Sequence, residues 1–481
     1  MKIKVPHQSR KSEKFLAPNT TRSLLFIVAL TAAVTMTLGG CASKSPRPNS
    51  GGASSSPSST HDVIPLVGSY KVNRFQLENG LNILVVEDHT SPTLAYQTWF
   101  RVGSRDEVPN YTGLAHLFEH MMFKGTKEVK EGIFDKILEG AGAEGENAFT
   151  TQDYTVYVQE MPKDKLDLIA KLEADRMVNL VVNEESFKTE REVVQNERRF
   201  RTENNVDGTM EQELFSLTFT KHPYHWPVIG YKEDLDRMTA EDASKFYHAF
   251  YSPNHATLMV IGDVNPDQVY ETVKKYYGSL KKQDAPALVI DNEPAQVKSR
   301  SKTLKLNTQV EKLMMGYPIP AITHADMPAL NILQNVMVGG KSSRLYRSLV
   351  ETGISASVDG GDFENKDPSL FLFVSNLQKG KKATLAESVV RKELDKLGNE
   401  LVSDKELERA KNQLAFAFNE SLSSNSQKAH FLGHWESIGH GFQEGLKSYE
   451  KTQAVTAQEL QAVVKKYFQP KLRNVVIGVP K

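Results

Sequence analysis

The sequence of 481 residues has a single cysteine, no excess charge of either sign and no apolar run long enough to cross a membrane. One cysteine cannot form an internal disulfide, which excludes a disulfide-stabilised scaffold. Lysine plus arginine and aspartate plus glutamate both number 59, so charge gives no sign of nucleic-acid binding, and we predict none. Hydrophobic residues at 39% and charged residues at 25% are typical of a globular protein. The length predicts roughly two to four domains.

The longest apolar run, Ser23 to Leu38, follows a basic stretch and has sixteen residues, short of the ~20 that a membrane-spanning helix needs. A basic segment, a short apolar segment and small residues after it are typical of a secretory signal peptide. The run ends in Leu-Gly-Gly-Cys, which resembles a bacterial lipobox, and this resemblance implies a lipid on Cys41. The alternative is an ordinary signal peptide or a weak membrane anchor with an incidental cysteine.

We therefore expect residues 1–40 to be a lipoprotein signal peptide and Cys41 to anchor the protein in the bacterial cell envelope. Ala42 follows the cysteine and, by resemblance to known lipoproteins, is compatible with the outer membrane, with the protein facing the periplasm. Residues 41–66 are rich in serine, proline and glycine. Most of this segment is too polar to fold, so we assign it to a tether.

The residues after the tether alternate between strand and helix patterns. Phe75 to Val86 predicts a hairpin that turns at Asn79-Gly80. The further elements follow in an irregular order, which is typical of an α+β protein and not of a regular βαβ repeat. Helices are predicted at 113–124, 131–139, 164–178 and 184–202, and strands at 94–102, 143–150 and 154–160.

The chain repeats one pattern at a distance of 217 residues, between Pro253 and Pro470. The segments that begin at Thr239 and Thr456 each predict an amphipathic helix that ends on an aromatic pair, then a proline and a strand. A period this long is not that of a solenoid. We therefore predict two homologous domains, 67–285 and 286–481.

The segment His116-Leu-Phe-Glu119-His120 has the H-x-x-E-H order of inverted zinc-peptidase motifs. On a helix capped by Thr112 and ended by Gly125, the two histidines lie one turn apart and can bind one Zn²⁺. Glu119 lies beside them, where it can take a proton from water activated by the metal. Alternatively, two histidines and a glutamate in a buried helix can serve packing alone.

A catalytic zinc needs a third protein ligand from another element, because one helix cannot surround a metal. A second helical stretch offers Glu190, Glu192 and Glu197 as candidates. Spacing alone does not select among the three, and a helix rich in glutamate and arginine is usually a solvated surface.

H-x-x-E-H followed about 75 residues later by E-R-x-V-V-x-x-E resembles the insulinase/pitrilysin-type zinc metallopeptidases, the family that includes mitochondrial processing peptidase. The resemblance implies two α/β-sandwich halves, each a mixed sheet covered by helices, that form a clamshell around a chamber. It also implies roles for five side chains. One zinc ion per chain is bound by His116, His120 and Glu197, Glu119 is the general base, and Glu190 supports a ligand from behind.

The segment from Gly145 to Thr150, with Tyr154, resembles the family's edge strand, to which substrate backbone adds as an extra strand. The resemblance implies that Asn147 and Ala148 bind the peptide substrate. The alternative for Asn147 and Thr150 is ordinary hairpin chemistry.

The second domain has lost the metal-binding side chains. At the positions that match the two histidines and the glutamate of the motif it has Asn331, Gln334 and Asn335, so we predict one active site. Related peptidases also hold the substrate carbonyl with the Arg and Tyr of an Arg-Gly-Leu-x-Tyr motif. Here Thr352 and Ala356 stand at those two positions.

Some bacterial members of the family divide these parts between two chains. The resemblance therefore implies a homologous partner subunit that carries the Arg/Tyr motif, and a self-sufficient homodimer is the competing possibility. Arg344 and Tyr346 lie nearby in the sequence, and we assign them to packing and capping.

We expect the protein to be a zinc endopeptidase that acts on unfolded or short polypeptides. The rival hypothesis is a membrane-tethered binding or assembly subunit that keeps the fold without catalysis.

Overall fold

The computed structural model describes residues 61–286 and 288–481, which form two β-sheets covered by α-helices. The predicted signal peptide, Cys41 and the tether up to residue 60 lie outside the described residues, so the lipid anchor stays a prediction. Within the described part, no helix has the length and apolar character that a membrane span requires.

Seven strands form the first sheet: β1 (His61–Pro65), β2 (Lys71–Gln76), β3 (Asn82–Glu87), β4 (Thr93–Phe100), β5 (Glu144–Thr150), β6 (Thr155–Pro162) and β7 (Ala256–Gly262). Their order is β1-β2-β3-β7-β4-β6-β5. Only β3 and β7 run parallel, and every other neighbouring pair is antiparallel. Because β5 is the last strand in this order, it has a free edge among the described residues.

Five strands form the second sheet: β8 (Arg300–Leu306), β9 (Lys312–Ile319), β10 (Ser355–Asp362), β11 (Ser369–Leu377) and β12 (Asn474–Pro480). Their order is β10-β11-β9-β12-β8, and only β12 and β8 run parallel. The first sheet contains the same arrangement as β5-β6-β4-β7-β3. The predicted α+β fold of two homologous halves is therefore confirmed, with β1 and β2 as additions to the first half.

Fourteen α-helices are present in the described residues: α1 (Leu114–Met121), α2 (Phe134–Gly140), α3 (Leu166–Asn179), α4 (Glu184–Arg198), α5 (Val206–Thr218), α6 (Lys232–Arg237), α7 (Ala240–Phe250), α8 (Pro266–Tyr277), α9 (Met327–Val338), α10 (Ala383–Asn399), α11 (Asp404–Glu420), α12 (Asn425–Ile438), α13 (Phe442–Ala454) and α14 (Ala457–Tyr467). One face of the first sheet packs on α1, α3, α7 and α8. One face of the second sheet packs on α9, α10 and α14.

The two halves exchange helices to cover the remaining face of each sheet. From the second half, α12 packs its Leu432 against Trp99 and other buried side chains of the first sheet. From the first half, α5 packs its Leu214 against Val476 and its neighbours in the second sheet. Each sheet is therefore enclosed between helices of both halves, the layered arrangement that buries both faces.

A buried ion pair also joins the halves. Nζ of Lys428 on α12 donates to Oδ2 of Asp88, which follows β3, at 2.7 Å. Both side chains are 3% exposed. Burial alone raises the pKa of Asp88, but hydrogen bonds from Lys428, Thr90 and Tyr70 outweigh it and hold the pKa well below its ordinary value. The carboxylate is thus ionised and paired at neutral pH.

Several local predictions are confirmed by the structure. Strands β2 and β3 form the expected hairpin, and Gly80 in its turn has a φ of +88°, a conformation that favours glycine. The repeated segments form α7 with β7 and α14 with β12, and Thr239 and Thr456 cap the two helices. Residues 61–65 differ from the expected tether, because their backbone pairs with β2 as strand β1. The domain boundary near residue 285 stays a prediction.

Candidate metal centre

Helix α1 carries the H-x-x-E-H motif, and its N-terminus is capped differently from the prediction. We expected Thr112 to cap the helix, but its hydroxyl donates to Oδ2 of Asp234 at 2.6 Å. The carboxylate of Glu107 instead accepts hydrogen bonds from the backbone amides of Gly113 and Ala115, both at 2.8 Å. A carboxylate satisfies the free amides of a helix N-terminus and complements the helix dipole, which explains why Glu107 replaces the expected cap.

The two histidines of α1 and Glu197 of α4 converge on one point. Nε2 of His116 lies 3.8 Å from Oε1 of Glu197, and Nε2 of His120 lies 3.3 Å from Oε2 of the same carboxylate. One donor atom from each side chain falls within 4.8 Å of the others. The helix ends at Met121 and not at Gly125, which leaves both histidines inside it, one turn apart.

Glu190 lies behind this cluster and not in it. Nδ1 of His120 donates to Oε1 of Glu190 at 2.9 Å, and Nζ of Lys124 pairs with Oε2 at 2.6 Å. A carboxylate on the second ring nitrogen fixes the orientation of a ligating imidazole. The exposed Glu192 is outside the cluster, so the structure separates the three glutamates that spacing could not.

Glu119 is buried beside the histidines and is held by the edge strand. The hydroxyl of Thr150, the last residue of β5, donates to Oε2 of Glu119 at 2.6 Å. Burial raises the pKa of Glu119, and the bond from Thr150 opposes that rise. Asn147 and Ala148 lie on the same strand, paired with Val158 and Tyr157 of β6, so their other side faces the free edge.

The electrostatics of the cluster favour a cation. Burial and the neighbouring His120 lower the pKa of His116 to about 3, so His116 is neutral. Burial lowers the pKa of His120, but hydrogen bonds to Glu190 and Glu197 outweigh it and raise that pKa to about 9. Burial raises the pKa of Glu197, yet the hydrogen bond from His120 and the charges nearby lower it to about 2. The two carboxylates therefore stabilise positive charge at this point.

The donor set fits a zinc ion. Two imidazoles and one carboxylate are a known catalytic zinc set, in which the fourth position is left for water or substrate. His116 and His120 from one helix and Glu197 from another supply those three groups, and Glu190 supplies the supporting hydrogen bond. Among the described residues no other group of histidines and carboxylates is gathered in this way.

Two residues of the site were missed by the sequence analysis. Lys124 neutralises Glu190, and Nε of Arg201 pairs with Oε1 of Glu197 at 2.8 Å. Spacing could have found Arg201, which is four residues after Glu197, but not Lys124, which lies beyond the end of α1 and pairs with a residue of another helix.

The second half repeats the helix without the chemistry. On α9, Asn331 donates to Oε1 of Glu364 at 3.0 Å, and Asn335 donates to the carbonyl of Asn331 at 3.2 Å. These amides serve hydrogen bonds inside their own half. Arg344 forms two hydrogen bonds with Glu406, at 2.9 and 3.0 Å, within the second half.

The fold and the site define a two-half α+β protein with an inverted zinc-peptidase motif in its first half. The family model "Insulinase (Peptidase family M16)" matches residues 82–231, and the model "Peptidase M16 inactive domain" matches residues 237–414. The chain is 32% identical over 399 residues to the zinc protease PqqE of Helicobacter pylori, covering 82% of this chain and 89% of that protein. It is 27% identical over 363 residues to an uncharacterized zinc protease, YmxG, of Bacillus subtilis, covering 74% and 86%.

Solved structures agree with this similarity. The crystal structure of a protease from Helicobacter pylori superimposes with a TM-score of 0.80 at 30% identity, covering 88% of this chain and all of that one. A peptidase M16 inactive domain from Pseudomonas fluorescens has a TM-score of 0.77 at 20% identity, covering 85% and 98%, and shows the shared fold alone. The chain therefore belongs to the insulinase family of peptidases, M16.

Proposed function

We propose that the chain is a zinc-dependent endopeptidase that hydrolyses peptide bonds in unfolded or short polypeptides. The observation that carries the proposal is the convergence of His116, His120 and Glu197 beside Glu119, next to the free edge of β5. A zinc ion held by these three ligands supplies Lewis acidity, which lowers the pKa of water and polarises a peptide carbonyl.

Glu119 serves as the general base. Its Oε2 accepts the hydrogen bond from Thr150, which leaves Oε1 to take the proton of the attacking water. Burial raises the pKa of Glu119, which favours the protonated carboxyl that then passes the proton to the departing amine. One side chain thereby acts first as base and then as acid.

The free edge of β5 binds the substrate. Backbone groups of Asn147 and Ala148 that do not pair with β6 are available to an added strand. Recognition through backbone requires an extended chain, which supports unfolded or short polypeptides as substrates over folded proteins.

We further propose that the enzyme works with a homologous partner subunit. Thr352 and Ala356 provide neither the guanidinium nor the phenol of the family's Arg/Tyr motif, and a similar chain that carries the motif would supply both. Lipid on Cys41 would hold the assembly in the bacterial cell envelope, at the outer membrane facing the periplasm.

The test combines metal analysis with peptide cleavage. Glu119→Gln is expected to keep about one zinc per chain and to lose hydrolysis, because it retains the ligands and removes the base. His120→Ala is expected to lose the zinc itself. Each protein is assayed on an unfolded peptide, alone and after addition of candidate partner chains.

The rival function, a non-catalytic binding or assembly subunit, gives a different result in the same assay. In that case the zinc-loaded protein cleaves nothing with any partner, and Glu119→Gln changes nothing. Cleavage by Glu119→Gln at the parental rate would instead contradict the role of Glu119 as base. Full activity of the chain alone, unaffected by partners, would exclude the required partner subunit.

A further inference from the structure

The turn that joins β5 to β6 connects the general base to the second half of the molecule. Thr150 ends β5 at this turn, and its single hydroxyl proton goes to Glu119. The neighbouring hydroxyl of Thr155 lies 3.3 Å away but donates to the carbonyl of Val102 at 2.9 Å. The position of the turn therefore decides where the Oε2 atom of Glu119 is held.

Residues that follow β4 hold this turn by backbone hydrogen bonds. Backbone amides of Ser104 and Arg105 donate to the carbonyls of Thr151 and Gln152, at 3.2 and 2.8 Å. The approach at Gly103 is so close that a Cβ there would lie 2.6 Å from the backbone nitrogen of Asp153. The turn therefore packs directly against residues 103–105, which follow β4.

The second half reaches the same turn through the loop that joins β10 to β11, residues 363–368. Oδ2 of Asp153, a side chain only 2% exposed, accepts the backbone amide of Lys366 at 3.0 Å. Oδ1 of Asp153 accepts the hydroxyl of Tyr224 at 2.7 Å, and that hydroxyl accepts the amide of Asp367 at 3.1 Å. Both oxygens of one buried carboxylate therefore connect the turn to this loop.

The loop 363–368 is also joined to the first half by an ion pair and a hydrogen bond to the side chain of Asp367. Oδ2 of Asp367 pairs with Nε of Arg105 at 2.5 Å and accepts from Nε2 of His222 at 3.0 Å. Arg105 is the residue whose amide holds the carbonyl of Gln152. The loop 363–368 of the second half thus contacts the turn directly, through the amide of Lys366, and indirectly, through Arg105.

We propose that this loop acts through Asp153 to position Thr150, and through Thr150 the carboxylate of Glu119. Asp153 is a positioning residue in this inference, which rests on the proposed endopeptidase function. The half that lacks metal ligands would then contribute to catalysis by fixing the geometry of the base. Small displacements of a catalytic group are costly, and a shift of about 1 Å can lower a rate about 100-fold.

The test is a double-mutant cycle on kcat. Asp153→Ala and Thr150→Val are each expected to lower kcat at least about tenfold, with KM changed less than about threefold. Thr150→Ser restores the hydroxyl and is expected to recover kcat to within about threefold of the parent. Because both changes act on one hydrogen bond, the double variant should be no slower than the slower single one.

The control removes an acidic side chain of the second half whose hydrogen-bond partners are also in that half. Asp326 pairs with Lys466 and Tyr467 near α9 and α14, and Asp326→Ala is expected to leave kcat unchanged. The proposal would be overturned if the effects of Asp153→Ala and Thr150→Val on kcat multiply in the double variant. A parental kcat for Asp153→Ala would overturn it as well. If Asp153→Ala does not fold, Asp153→Asn takes its place. Its amide oxygen can still accept from the amide of Lys366, but its NH₂ group cannot accept from the hydroxyl of Tyr224.

A second measurement does not depend on activity. Amide hydrogen exchange over residues 147–155 of the zinc-loaded protein is expected to quicken in Asp153→Ala and to stay unchanged in Asp326→Ala. Unchanged exchange in Asp153→Ala would also overturn the link. Loss of the proposed function would show differently, as a parental protein whose peptide cleavage is absent or insensitive to Glu119→Gln.

Discussion

Gly433 of α12 lies against Trp99 of the first sheet, and replacing this glycine tests how the halves are held together. Gly433 lies in the buried face of α12, where a Cβ would lie 2.5 Å from Cζ2 of Trp99 and closer still to Cε2 and Cδ2. Ordinary Cβ contacts begin near 3.4 Å. Gly433→Ala therefore requires α12 or the ring of Trp99 to move by about 1 Å or more.

The expected loss of stability follows from two opposed effects. Overpacking of a close-packed interior typically costs about 1–3 kcal/mol, and so close an approach is expected to cost the upper end of that range. Alanine in place of glycine in a helix regains about 1 kcal/mol. The net expectation is that Gly433→Ala lowers the free energy of unfolding by about 2 kcal/mol.

Gly398 on α10 is the matched control. A Cβ there would meet only Cγ1 of Val464 at 3.8 Å and Cγ of Lys465 at 3.9 Å, which are ordinary contacts. Gly398→Ala is therefore expected to be neutral or to add up to about 1 kcal/mol. Urea unfolding followed by circular dichroism measures both variants. If the two agree within about 0.5 kcal/mol, the argument from close approach is refuted.

Two further predictions concern the metal centre and the ion pair between the halves. Glu190→Gln is expected to weaken zinc binding about 10- to 100-fold, because the imidazole of His120 is then held less firmly. Glu192→Gln, on the exposed face of α4, is expected to leave the zinc affinity unchanged. A competition titration measures both affinities, and equal effects of the two variants would exclude the supporting role of Glu190. Lys428→Met leaves the carboxylate of Asp88 buried without its cation and is expected to lower the free energy of unfolding by about 3 kcal/mol at pH 7. The pKa of Asp88 is depressed in the folded protein, so the full stabilisation by the pair is present above about pH 4, the ordinary pKa of an aspartate. The difference in the free energy of unfolding between the parent and Lys428→Met should begin to narrow below about pH 4 and continue to narrow toward the lower pKa of the folded protein, and a constant difference would contradict this.

Local signals in the sequence predicted local structure well. The hairpin of β2 and β3 and the capped helices α7 and α14 were found because turn residues, caps and apolar periodicity act over a few neighbouring residues. The helix predicted over 184–202 forms as α4 followed by a π-helical turn at Arg199–Glu203, so its extent was right although its winding changes.

Contacts between distant residues could not be read from such signals. The parallel pairing of β3 with β7 joins strands about 175 residues apart, and no neighbouring residue encodes it. The cap on α1 was assigned to Thr112 because sequence position favours it, whereas Glu107 reaches the helix only after the intervening turn has folded. The selection of Glu197 over Glu190 and Glu192 came from family resemblance, and the structure separates them by which side chain reaches the histidines.

The exchange of α5 and α12 gives a physical reason for a half without metal ligands to accompany the half that has them. The first sheet presents Trp99, Met259 and their neighbours on the face that α12 covers, and all are buried. If this surface were exposed to water, the protein would lose about 25 cal/mol of stabilisation for each Å² of apolar area. Large exposed apolar patches also promote association. Asn331 and Asn335 lie on α9, which packs on the face of the second sheet opposite α5. The side chains that replace the metal ligands therefore lie outside the apolar surfaces that α5 and α12 cover, so the second half can complete the core of the first without binding metal itself.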